Sequence, residues 1–177
     1  MRIVDLNSLA TQAHENAVKH GWWEKERNNQ HHLMLVIAEI AEAVEADRDK
    51  KHARLSEYRD ANDKERAFRR FIKDSVEDEL SDVAIYLFDI AGKLGINFTV
   101  MRPCRYYRAF EKFKFTDNAF GLCKGLCKET IAIEKRIAFA VHYVIGWSKS
   151  LGIDIFFFIE EKMKYNETRP YLHNKDY

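Results

Sequence analysis

Two short stretches carry acids at matching spacing, Glu39-Ile-Ala-Glu42 and Glu79-Leu-Ser-Asp82. On a helix, residues three apart point nearly the same way. Each pair lies at the edge of an apolar stripe, with Leu35 and Ala43 flanking the first and Val83 and Tyr86 the second. If both stripes face one core, Glu39, Glu42, Glu79 and Asp82 converge at its rim. Four such carboxylates repel one another and lose hydration unless a cation sits among them. An all-oxygen ligand set favours Mg²⁺, with Mn²⁺ as the alternative, over zinc. Mg²⁺ takes a few carboxylates together with waters and substrate phosphates, so phosphate chemistry is the expectation. A di-iron bundle needs Glu-x-x-His on paired helices, and Asp82 stands where that histidine would be. The same spacing also arises as plain solvated charge on an exposed helix.

The elements that must hold these acids read as helices. The chain has 177 residues but only 2 Pro and 7 Gly, too few breakers for many short strands. That length predicts one all-α domain covering 1–177. A first helix is expected over about 7–20, capped by Asn7 or Ser8 and closed by Gly21. Trp22 and Trp23 follow in a loop. A second helix over 32–47 carries the stripe Leu33, Val36, Ile37, Ile40 and Val44. The charged run 47–70 reads as a solvated connector, part helical. A third helix over 74–94 carries Val76, Leu80, Val83, Leu87, Ile90 and Leu94. Residues 98–115 are less regular and contain Pro103. One long helix over 116–150, broken near Gly121 or Gly125, and a last helix from Asp154 to before Pro170 complete the reading. AGKLGIN, at the end of the third helix, echoes SKSLGID at the end of the long one, with Tyr86 matching Tyr143, Glu79 matching Arg136 and Asp82 matching Phe139. The echo is either chance or a degenerate duplication that keeps the packing and loses the charges.

Composition excludes several classes. Hydrophobic residues make up 46% and charged residues 32%, which rules out global disorder. Lys and Arg total 29 against 28 for Asp and Glu, so no basic nucleic-acid footprint is evident. No apolar stretch, 153–159 included, is long enough to span a bilayer, and the N-terminus has no leader-like apolar run. Cys104, Cys123 and Cys127 lack zinc-ligand spacing and read as reduced, buried small residues. A cytoplasmic protein is expected.

Three segments occur in order: QHHLMLVIAEIAEAVEA, VEDELSDVAIYLFDIAGKLGI and EEKMKYNETRPY. Together they resemble the all-α NTP pyrophosphohydrolase superfamily, the MazG-like and dCTP-pyrophosphatase-like proteins, over about 10–97 and 153–171. The resemblance implies a MazG-like helical bundle that hydrolyses nucleoside triphosphates to monophosphate and pyrophosphate with Mg²⁺, as house-cleaning of dCTP-like, dUTP-like or modified nucleotides. It puts Glu39, Glu42, Glu79 and Asp82 on metal-binding positions. It puts Tyr86 and Asn166 on nucleotide-contacting positions, with Lys162 nearby, and Trp22 or Trp23 where a base is stacked. Three features depart from it. Ala38 stands where a second glutamate often opens the first motif. The connector between Glu42 and Glu79 is longer than usual. Residues 98–152 form a helical insertion without counterpart in short members, so the chain is expected to be a homodimer or a homotetramer.

The corresponding chemistry is attack of an activated water on the α-phosphorus. Glu42 and Glu45 are both candidates for the general base. Lys162, Arg169 and Lys175 are candidates to neutralise the β- and γ-phosphates. His31 and His32, at the start of the second helix, are not assigned a role. Two other classes fit the same residues: a catalytically inactive scaffold bundle that kept its acids, and a nucleotide sensor that binds without turnover.

Overall fold

A computed structural model describes residues 4–101 and 110–174 of the chain. It is all-α: eight helices and no strand among the described residues. The helices are α1 (Leu6–Lys19), α2 (Asn29–Arg48), α3 (Leu55–Asp60), α4 (Lys64–Phe71), α5 (Val76–Lys93), α6 (Phe115–Leu126), α7 (Ile133–Ser150) and α8 (Ile155–Glu167). None is long and apolar enough to cross a membrane. Cys104, Pro103 and Lys175 lie outside the described residues.

Local chemistry sets the helix ends. Asp5 caps α1 by accepting the Asn7 N–H, two residues before the expected start. Asn7 is thereby released to accept the Phe98 N–H at 2.8 Å, tying α1 to the chain after α5. Asn28 caps α2, Ser75 caps α5 and Asp154 caps α8, each through its side-chain oxygen. Gly21, Gly95 and Gly152 follow α1, α5 and α7 with positive φ.

Helix α5 is the hub. It packs against α1, α2, α7 and α8, and both its polar and apolar faces are largely buried. Val83, Leu80 and Leu87 are fully enclosed. The approach of α1 to α5 is close at Gly92: a Cβ there would lie 2.5 Å from the Ala10 carbonyl oxygen. The pair α6–α7 lies against α2 and α5, and α1 and α8 add Ala10, Ala13, Ile155 and Ile159 to the same core, so six helices share it.

Three expectations are corrected. The segment 116–150 is two helices instead of one, with the break close to Gly125, since α6 ends at Leu126 and Cys127 caps it. Both glycines sit inside α6 where α7 comes near: a Cβ on Gly121 would meet the Tyr143 hydroxyl at 2.7 Å, and one on Gly125 the Phe139 ring at 2.7 Å. The connector 47–70 is not merely solvated. It folds into α3 and α4, whose Tyr58, Ala67 and Phe68 join Ile72, Phe158 and Tyr165 in a second small core. Phe68 stacks on Tyr165 with ring centroids 4.6 Å apart. Finally, Cys127 is exposed and Cys123 only partly covered.

The echoed segments do occupy like elements. Helices α5 and α7 are each 18 residues long, and each ends in a leucine cap followed by a positive-φ glycine. On α7 the positions matching Glu79 and Asp82 are Arg136, which donates to the Leu126 carbonyl, and Phe139, which packs toward Gly125.

Candidate functional site

Helices α2 and α5 run antiparallel, as contacts at their opposite ends show. At one end Trp23 stacks on His32 of α2 and donates to Asp89 of α5. At the other, carboxylate oxygens of Glu39, Glu42 and Glu79 lie within 4.8 Å of one another. Between these ends runs a cavity of about 250 Å³. Helices α2 and α5 form two walls, α8 with Lys162 and Asn166 a third, and α1 with the Trp22 loop the fourth. From Glu79 to Asp89 helix α5 rises about 15 Å. One end of the cavity is therefore acidic and the other aromatic and polar.

The acidic end holds three of the four expected ligands as one group. Glu39 and Glu79 are buried, and Glu42 is exposed at the mouth. Burial, reinforced by the charges of Asp82 and Asp78, pushes the Glu79 carboxyl up to about 8. A carboxylate so disfavoured is one that a cation would stabilise. Asp82 lines the cavity but stands apart from the group, because Lys162 reaches it at 2.5 Å. Lys162 also donates to Asp78 at 2.9 Å and is itself only 4% exposed. Burial acts against the ammonium, but Asp82 and Asp78 outweigh it and hold Lys162 above the ordinary lysine range. Burial likewise outweighs the Lys162 charge at Asp78 and moves that carboxyl up to about 6.

Trp22, Tyr86, Asn166 and Arg169 all line the cavity. Burial, with the charges of Glu39 and Asp82, raises the Tyr86 phenol. Asn166 is 7% exposed, and its Oδ1 has no hydrogen-bond partner among the described residues. A buried amide oxygen left in this way is one a ligand donor would satisfy.

Two expected site residues are placed elsewhere. Glu45 pairs with Arg48 at 2.5 Å on the exposed side of α2 and does not line the cavity. Trp23 is a strut behind the wall, hydrogen-bonded to both oxygens of Asp89 at 2.8 and 3.1 Å.

Several lining residues had no assigned role in the sequence reading. Asp78 precedes Glu79 and lies one turn before Asp82. Asp89 is buried and accepts from His14 and Trp23, and burial outweighs these bonds to move its carboxyl up to about 6. His31 and His32 both face the cavity, as do Arg27 and Lys73. The signal was present along α5. Asp78, Asp82, Tyr86 and Asp89 form a polar seam at intervals of three and four along α5.

Comparison of the chain with family models, with characterised proteins and with solved structures finds no match.

Proposed function

We propose that the chain is a divalent-cation-dependent nucleoside triphosphate pyrophosphohydrolase, releasing pyrophosphate and leaving the nucleoside monophosphate. The observation that carries this reading is the grouping of Glu39, Glu42 and Glu79 oxygens within 4.8 Å at one end of a cavity whose other end offers Trp22 and the buried polar groups around Asp89. The donor set is all oxygen and includes a buried glutamate that resists ionisation by itself, which fits Mg²⁺ or Mn²⁺. When bound, the cation supplies neutralisation of phosphate oxygens and an activated water. Glu39 and Glu79, fixed by burial, serve as its anchors. Glu42, exposed at the mouth, is the carboxylate with room to take a proton from the attacking water. Lys162, Lys73 and Arg169 carry positive charge along the walls where a triphosphate would run. Trp22 offers a ring face for the base, and Asn166 Oδ1 an acceptor for a sugar or base donor.

Hydrolysis in H₂¹⁸O with a panel of deoxynucleoside triphosphates tests the bond that breaks. Attack at the α-phosphorus puts the label in the monophosphate. Label in orthophosphate, with a diphosphate product, would contradict the reading.

A further inference from the structure

The two acidic partners of Lys162 are not equivalent. Asp78 is 1% exposed, and its second oxygen accepts the Asp74 N–H at 2.9 Å. Asp74 is held there in a left-handed conformation, φ 59°, that aims its N–H back at α5. Asp82 is only partly buried, lines the cavity, and lies one turn from Glu79 on the same helix. Asp78 is thus engaged at both of its oxygens away from solvent, whereas Asp82 faces the cavity. A buried ammonium stripped of both would be strongly destabilising. Stripped of Asp82 alone, it keeps Asp78 and has N–H donors to spare, since an ammonium carries three.

We propose that Asp78 is a positioning residue: it retains Lys162 in the site while Asp82 passes from Lys162 to the divalent cation, leaving the freed Lys162 donors for a phosphate oxygen. This rests on the metal-dependent reading above. Without Asp78, the whole Lys162 charge falls on Asp82 and competes with the cation for it. Removing Lys162 as well abolishes that competition. The two substitutions therefore have opposite effects on cation affinity, which a purely structural role for Asp78 would not produce.

The test is Mn²⁺ binding to the full chain, followed by electron paramagnetic resonance without nucleotide. Asp78→Asn is expected to weaken Mn²⁺ by about tenfold, the lower end of what loss of an outer partner does to a metal site. The double variant Asp78→Asn with Lys162→Met removes the pair as a neutral unit and is expected to bind Mn²⁺ at least as tightly as the wild type. Unchanged affinity in Asp78→Asn, or a double variant as weak as that single one, overturns the inference and leaves the metal reading standing. Where the single variant does not fold, the double variant decides alone, and weaker binding than wild type overturns the inference. Absence of Mn²⁺ binding by the wild type overturns both.

Discussion

Glu42 and Glu45 differ by one helical step of three, and that step separates a cavity residue from a surface one. Three residues turn a helix by about 300°, so each step falls back by about 60°. Along Glu39, Glu42 and Glu45 the lag accumulates, and Glu45 ends beside Arg48 in solvent. Glu42→Gln is therefore expected to lower turnover by about 10²-fold or more, as loss of a positioned acid–base group does, while Glu45→Gln stays within about twofold. Steady-state pyrophosphate release measures both. Matching losses in the two variants would contradict the assignment. Spacing made Glu39, Glu42 and Glu79 legible because a single helical turn is a local property. It did not reveal that Asp82 is engaged by Lys162, 80 residues later in the chain, since only packing of α8 on α5 brings them together. Nor did it separate Trp22 from Trp23, because neighbouring loop residues point apart and only the fold decides which one faces the cavity.

At the scale of elements, the site depends on how α1 and α8 seat against α5 and on how α4 backs α8. The α1–α5 crossing is close because Gly92 has no side chain, and the obstacle to one is the Ala10 backbone, which cannot rotate away. Gly92→Ala is expected to push α1 outward and cost about 1–3 kcal/mol, the usual range for overpacking. Urea denaturation would measure it, and an unchanged midpoint would contradict the crossing. Since α1 carries Asn16, Ala17 and His20 into the cavity wall, nucleotide affinity should fall in the same variant. The helices α2, α5 and α8 were readable from their apolar stripes and, for α8, from Asp154, but the caps Asn28 and Ser75 were not read, so the starts of α2 and α5 were placed at 32 and 74 instead of 29 and 76. The run 47–70 misled because charge dominates its composition. Its core residues are few, Tyr58, Ala67, Phe68 and Ile72, and they find partners on α8 far along the chain. The break near Gly125 was legible, but the packing role of Gly121 and Gly125 was not. Glycine reads as a helix breaker, but here it gives α7 room to approach α6.

For the whole molecule, the buried acids couple folding to pH and to the cation. The Glu79 carboxyl sits at about 8 when folded against 4.5 as its ordinary value, chiefly through burial. The folded chain thus binds that proton more tightly than the unfolded one. Its contribution to stability is present in full below about pH 4.5 and is lost as pH rises through 8. Asp89 acts in the same sense between 3.8 and about 6. Metal-free protein is expected to melt at lower temperature at pH 8 than at pH 6, and Mg²⁺ to raise the melting temperature more at pH 8, where Glu79 is about half ionised and fewer protons have to be displaced. Thermal melts at both pH values with and without Mg²⁺ check this, and a larger Mg²⁺ effect at pH 6 would contradict it. The α6–α7 pair joins the main core, and with Arg136 and Phe139 at the matching positions of α7 the acidic cluster is carried by α2 and α5. On the proposed function, this cluster turns over nucleoside triphosphates. The most direct measurement is Mg²⁺-dependent pyrophosphate release across a nucleotide panel, run with wild type and Glu79→Gln at matched folding. Release of pyrophosphate with the monophosphate, abolished by Glu79→Gln and by chelation, is the predicted result. No release from any nucleotide with Mg²⁺ or Mn²⁺, or equal release by Glu79→Gln, would contradict the account.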